Sequence, residues 1–210
     1  MKIIPIGLQC SVPHAIKDAN LRQYSSPFDW HWLPSETTYN ILLILLRDGI
    51  DKAIEYMTTG YTYYKYFCNE HYLSTKGVTP YQMNKHTGLG IVHFKINTEF
   101  KEKLKRRFER LLADIHSSEP MLLIYADAAN KFFNYYLDEK DYGVNATEYL
   151  IKIHDLLKTV KQDFKILYFC WPERLGNDKK ITYIPITFGR DCSHVRDIIK
   201  DYLLAQVKTP

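Results

Sequence analysis

MKIIPIGLQCSVPHAIKDANLRQYSSPFDWHW, Met1 to Trp32, reads as an apolar run, a corner, a short helix and an aromatic PFDW loop. Lys2 to Leu8 has the Ile-rich, bounded character of a buried strand. Gly7 stands near its end, and Cys10, Ser11 and Pro13 open a helix running through Leu21. Cys10 is thereby predicted at a strand-to-helix corner. In an open α/β sheet such corners line the crevice at the carboxyl ends of the strands, where the next helix offers unpaired N–H groups to an anion. A helix terminus favours the thiolate form of a cysteine placed there, and the thiolate is what a cysteine nucleophile must be. The plainer account is a packed small side chain, because free cysteines are among the most buried residue types.

Working outward, Ser35 as cap and Glu36 in the first turn begin a helix with Tyr39, Leu42, Leu43 and Leu46 on one face; Gly49 interrupts it, and Asp51, Ile54 and Met57 predict a second short helix before Gly60. Tyr61 to Gly90 is the least regular part. It has strand-like runs at Tyr63 to Cys68 and Tyr72 to Ser74 and turn signals at Lys76-Gly77 and Thr87-Gly88, the pattern of an inserted flap or hairpin. Alternation then resumes. Strands are predicted at Leu89 to Phe94, Pro120 to Tyr125, Phe164 to Trp171 and Ile181 to Phe188, and helices at Thr98 to His116, Ala146 to Val160 and Cys192 to Val207. That rhythm predicts an α/β fold: a mostly parallel sheet with helices on both faces and an irregular or hairpin insertion around residues 61–90. If all its strands run parallel, right-handed crossovers collect the strand ends at Cys10, His93, Asp127, Trp171 and Gly189 on one rim.

Composition bounds the function. A chain of 210 residues, 46% apolar and 25% charged, is most economically one α/β domain, residues 1–210, with the insertion as its flap. A net charge of +4, from 28 basic and 24 acidic residues, is short of the clustered basic footprint of a nucleic-acid binder, and no specific nucleic-acid partner is expected. Four cysteines, at 10, 68, 170 and 192, show no CxxC pair. No positively charged segment precedes an apolar core at the N-terminus, and the longest apolar run, Ile41 to Leu46, falls well below the ~20 residues of a bilayer-spanning helix. The expectation is a reduced, cytoplasmic protein with no membrane association, no disulfide framework, no zinc or other metal and no cofactor. Of the seventeen tyrosines, six cluster at Tyr61, Tyr63, Tyr64, Tyr66, Tyr72 and Tyr81, where rings suit either a partner-docking surface or a covered sheet edge.

GLQC (Gly7 to Cys10) followed by LRQYSSPFDW (Leu21 to Trp30) resembles a family of unknown function labelled papain-like cysteine peptidase, found in bacteria and large DNA viruses. That family opens with Gly-x-x-Cys at the end of the first strand and continues, after a helix, with Leu-Arg, a Ser and Pro-Phe-Asp-Trp. Its second block has a His in a strand, then a helix with an Arg-Arg-x-x-Arg-like pattern and another apolar strand; His93 in GIVHF, Arg106, Arg107 and Arg110 in KRRFERLL, and Met121 to Tyr125 are similar to these. The resemblance covers about Ile3 to Tyr125 and implies cysteine-peptidase-like chemistry, in the host cytoplasm if the protein is viral. A papain-like fold puts its cysteine at the start of a long helix and its histidine on an antiparallel strand, whereas the alternation here predicts a doubly wound sheet.

The candidate catalytic set is Cys10 as nucleophile, His93 as general base, Asp29 as the carboxylate that orients the imidazole, and Gln9 as an oxyanion donor, with the Ser11 and Val12 N–H groups as an alternative hole. Asp29 equally suits a turn cap, and His93 a core position between Val92 and Phe94. The candidate substrate-binding set is Arg22, Trp30, Arg106, Arg107 and Arg110, in which guanidinium forks suit a carboxylate or phosphate. The alternatives are a salt bridge from Arg22 to Asp29 and a merely solvated helix face at Arg106 to Arg110. Asp127, Cys192 and His194 lie where the same rim is predicted. The function expected is a cysteine-dependent hydrolase or acyl transferase acting on a peptide or amide bond. Two rivals remain: a nucleotide- or sugar-phosphate-binding transferase, for which no glycine-rich motif speaks, and a non-catalytic interaction module docking a protein through the tyrosine-rich segment 61–81.

Overall fold

The computed structural model describes residues 1–7, 10–63, 82–84, 86–91, 95–127, 145–186 and 192–208. The chain runs β1 (Lys2–Pro5), α1 (Ser11–Asp18), β2 (His31–Trp32), α2 (Ser35–Asp48), α3 (Ile50–Thr58), β3 (Thr62–Tyr63), β4 (Gln82–Met83), β5 (Gly90–Ile91), α4 (Thr98–His116), β6 (Met121–Ala126), α5 (Ala146–Lys158), β7 (Phe164–Cys170), a 3₁₀ turn at Pro172–Arg174, β8 (Ile181–Pro185) and α6 (Cys192–Lys208). A parallel sheet in the order β1-β6-β7-β8 carries the core. Every residue of β6 is buried, as a strand covered on both faces requires.

Side-chain alternation sorts the helices. Ile4, Leu123, Ile166 and Ile181 lie in one register row and share a core with α2 to α5. Leu122, Ile124, Leu167 and Phe169 point to the other face, where α1 supplies Val12, Ala15 and Ile16 and α6 supplies Val195, Ile199 and Leu203. The predicted helices over both faces are thus present, and α4 has the bounds read from the sequence, Thr98–His116. It starts at Asn97, whose side chain accepts the Phe100 N–H at 2.8 Å. It buries Phe100, Leu104, Phe108, Leu111 and Ile115 at helical spacing. Each such burial contributes about 1.5–3 kcal/mol, several times the ~0.3–0.5 kcal/mol of a surface pair such as Glu99–Lys103. The other end is closed by buried Lys161, whose ammonium donates to the carbonyls of Asp114 at 3.1 Å, Ser117 at 2.6 Å and Glu119 at 2.6 Å. Asp114 lies in the last turn of α4, Ser117 is its C-cap and Glu119 follows, so the cation sits at the negative end of the helix dipole.

Two expectations are corrected. The strand predicted at Leu89 to Phe94 does not join the parallel set: β5 lies in a separate antiparallel sheet, order β2-β5-β4-β3. The reason is the connection. Asn84 N–H donates to Leu89 O at 3.0 Å and Gly88 N–H to Asn84 O at 2.8 Å, a tight hairpin turn that only antiparallel strands can use. Gly88, at φ 69°, takes the left-handed conformation that this turn needs. The Thr87-Gly88 turn signal and the hairpin insertion were therefore legible, and the parallel assignment of the strand after them was not. Ser35, expected as the cap of α2, is its first helical residue; Pro34 is the N-cap and there is no side-chain cap bond. The predicted turn at Lys76-Gly77, the strand-like run at Tyr72 to Ser74, the run at Tyr63 to Cys68 beyond its first residue, and most of the tyrosine cluster lie outside the described residues.

Beyond β1, Gly7 has φ 133°, and a Cβ there would run into the Leu33 carbonyl and sit 2.9 Å from the Tyr125 ring. Gly7→Ala is expected to destabilise by at least about 2 kcal/mol, from backbone strain and overpacking together. Urea unfolding measures it, and a loss under about 0.5 kcal/mol would contradict this account of the corner.

Candidate active site

Cys10 stands at the predicted corner, between β1 and α1. It is the N-cap of α1 and half-buried, but its own backbone is helical, φ −65° and ψ −14°. Its carbonyl accepts the His14 N–H at 3.2 Å, so the helical repeat already holds from residue 10. Ser11, the next residue, is buried, and its hydroxyl has no hydrogen-bond partner among the described residues.

The segment after α1 folds back beside this corner around a buried charge. Arg22 donates to the Asp29 carboxylate and, at 3.0 Å, to Ser25 Oγ; Asp29 Oδ2 also accepts the Ser26 N–H at 3.1 Å. Asp29 is only 1% exposed. Both plainer readings of this pair hold: Arg22 bridges Asp29, and Asp29 closes the turn that begins at Ser26. Trp30 follows with φ 68°, a left-handed backbone that a bulky residue adopts only under constraint. The constraint is visible on its ring, which has the Arg22 guanidinium 5.3 Å from its centroid and the His14 imidazole edge-on at 4.6 Å.

From the other side, α4 clamps the same loop. Arg107 donates to Ser26 O at 3.4 Å, Arg110 lies 5.2 Å from the Tyr24 ring centroid, and Phe28 meets Phe108 edge-on at 6.5 Å. Of the predicted arginines, then, Arg22, Arg107 and Arg110 converge on residues 22–29 and hold the loop. Arg106, exposed, is not among those loop contacts. Asp127 lies at the carboxyl end of β6 as predicted, but it is a fully buried tie. It accepts from Tyr168 Oη at 2.9 Å and the Trp171 N–H at 3.2 Å, and it pairs with Arg174 at 3.1 Å, anchoring the turn between β7 and β8. Gln9 and His93 lie outside the described residues, as do the side chains of Cys192 and Ser193. His194 is half-buried on α6. Sequence reasoning missed His14, although its signal was present: a histidine four residues after the cysteine, inside the predicted helix, lies one turn away on the same face. Among the described residues no group of His, Cys, Asp and Glu is placed to hold a metal ion, and no helix is long and apolar enough to cross a membrane.

The family described as "Putative papain-like cysteine peptidase (DUF1796)" matches residues 1–131. The chain belongs to this family. The matched region runs from β1 through β6 and so contains the Cys10 corner, the PFDW loop and α4. Neither the curated proteins nor the solved structures match the chain.

Burial pushes the Asp29 carboxyl up to about 6 from its ordinary 3.8, against the pull of Arg22, then of Arg107 and the Ser26 N–H. A raised carboxyl means that the folded chain keeps a proton which the unfolded chain has released. This group therefore makes stability fall as pH rises from about 4 to 6. Asp29→Asn is expected to remove that contribution, so its stability should fall less, or rise more, than that of the wild type over this window. Arg22→Gln should push the carboxyl higher still and extend the loss above pH 6. Urea unfolding at pH 4, 5, 6 and 7 checks both, and parallel curves for wild type and Asp29→Asn would overturn the assignment.

Proposed function

We propose that the chain is a cysteine-dependent hydrolase or acyl transferase acting on a peptide or amide bond, working as one α/β domain in the cytoplasm. The observation that carries this reading is the placing of Cys10 at the N-terminus of α1, half-buried, with the family's PFDW loop folded back beside it. The Cys10 thiolate attacks the carbonyl carbon of the substrate, whose oxygen takes up the negative charge. The side-chain amide of Gln9 or the N–H groups of Ser11 and Val12 meet that oxyanion at the helix terminus. Breakdown expels the amine, which takes its proton from a histidine, and water or an acceptor nucleophile then releases the acyl group. The family resemblance assigns the proton carrier to His93. Asp29, held by Arg22, acts as a positioning residue for Trp30, and Trp30 lines the substrate side of the corner. Arg107 and Arg110 keep the loop in place, and exposed Arg106 is the arginine left to meet an acidic group on a substrate.

Iodoacetamide at neutral pH is expected to modify Cys10 much faster than Cys170. The latter is a buried thiol pushed up to about 12 by burial and, secondarily, by Asp127. Peptide mass mapping reads the two sites separately. Cys10→Ser should abolish turnover of any peptide or amide substrate found in a library screen, and equal slow labelling at both cysteines would sink the reading.

A further inference from the structure

We propose that His14 is the base that takes the proton of the Cys10 thiol. This inference rests on the reading of Cys10 as a nucleophile and moves the proton-carrying role, which the family resemblance gives to His93, to a residue of the same helix. Its ground is geometric. Cys10 has helical backbone angles, and its carbonyl closes the first helical bond with the His14 N–H at 3.2 Å. The two side chains therefore stand one turn apart on one face, with Cβ atoms about 5–6 Å apart. Long side chains in a helix lean back toward the N-terminus over the preceding turn, which for His14 is the turn occupied by Cys10. With the imidazole held against Trp30, a turn of the Cys10 rotamer is what brings the thiol to it.

The second observation is the ring's support. The imidazole meets the Trp30 indole edge-on at 4.6 Å, and Trp30 in turn lies under the Arg22 guanidinium. Trp30 keeps a left-handed backbone at φ 68° to do so, a conformation that costs on the order of 1–3 kcal/mol and persists only where the surroundings impose it. The loop tied down by Asp29, Ser26 and α4 thus ends in a side chain that fixes the His14 ring. The charges around His14 suit a base that rests neutral. Burial lowers its pKa from the ordinary 6.5; Arg196 of α6, Lys17 of α1 and Arg22 of the loop lower it further, and Asp18 alone opposes them. Asp18 is itself paired with Arg196, which weakens that opposition. A neutral imidazole accepts the proton: the S–H bond breaks, an N–H bond forms on the ring, and the sulfur keeps the electron pair with which it attacks the carbonyl carbon. The imidazolium returns the same proton to the departing amine, so acylation needs no further proton source, and water or an acceptor nucleophile then releases the acyl group.

The test is the pH dependence of Cys10 carboxyamidomethylation by iodoacetamide, followed by peptide mapping in wild type, His14→Gln, His14→Asn and His93→Gln. Folding of each variant is checked by its thermal transition, and the two His14 variants guard against one failing to fold. With His14 as the base, wild-type Cys10 reacts with a midpoint below the ~8.5 of an ordinary thiol. Both His14 variants move the midpoint up by about one unit or more, a roughly tenfold slower reaction near pH 6.5, while His93→Gln leaves it in place. Profiles of the His14 variants that superimpose on the wild type, or a shift produced by His93→Gln alone, overturn the proposal while leaving Cys10 the nucleophile. Wild-type Cys10 no more reactive than Cys170 overturns both it and the reading beneath it.

Discussion

A parallel sheet of four strands has no face to give to water, and the rest of the molecule is arranged around covering both of its sides. The odd and even positions of β6, and of β7 from Ile166 onward, are buried alike, so one helical layer alone would leave half the core bare. The chain meets this demand unevenly. α1 covers one face directly after β1, α6 joins it from the far end of the sequence, and α2 to α5 cover the other. Passing from α1 to α2 means changing faces, and the chain does this over the carboxyl rim. The two passes touch there: Thr38 Oγ1 donates to Ile6 O at 2.7 Å, and the Leu33 carbonyl fills the space where Gly7 has no Cβ. A corner with a cysteine and a loop with an aromatic tip are thus brought side by side by a packing requirement, before any chemistry is considered.

The loop at that crossing is held by a buried ion pair rather than by apolar contact alone. Removing two charges from water costs several kcal/mol per ion, and their attraction returns it only with good additional hydrogen bonds, so a pair of this kind is a weak source of stability. Asp29 has such bonds, from Arg22 and the Ser26 N–H, and burial still leaves its carboxyl easier to protonate than usual. What the arrangement does supply is direction. It fixes Arg22 over one side of Trp30, and Trp30 against His14, in a segment that has no regular secondary structure to set its course.

The fold was legible wherever a hydrophobic period ran uninterrupted. α4 and α5, β6, β7 and α6 were read within a few residues, because burial on both sides of a sheet writes continuous apolar strands and helices with a clear apolar face. β5 was misassigned for the opposite reason. Leu89 to Phe94 is apolar enough for either sheet, and the partner choice is made by a hairpin turn at Asn84 to Leu89 that periodicity does not see. The site was legible as a position more than as a set of contacts. The corner of Cys10 follows from strand, glycine and helix, and the Arg22–Asp29 bridge was weighed from their spacing. The pairing of His14 with Trp30 was not foreseen, since it needs the loop to turn back on α1, and no local pattern states that a tryptophan takes a left-handed backbone.

The same geometry removes the conflict between a doubly wound sheet and a papain-like label. A papain-like fold has a cysteine at a helix start and a second element arriving from an antiparallel sheet, and neither feature excludes a parallel core elsewhere. Here the helix start comes from the parallel sheet, through β1 and α1, while β2 follows Trp30 directly and pairs with β5 in the antiparallel sheet. One segment, residues 21–32, therefore touches both systems: its tryptophan, backed by Arg22, meets His14 of α1, and its last two residues are a strand of the second sheet. The β2–β5 register, with His31 opposite Ile91, ties the residue after Trp30 to β5, so a continuous run of chain and contacts links β5 through Trp30 to His14. The junction of two sheets, rather than either sheet alone, is the unit that positions the candidate chemistry.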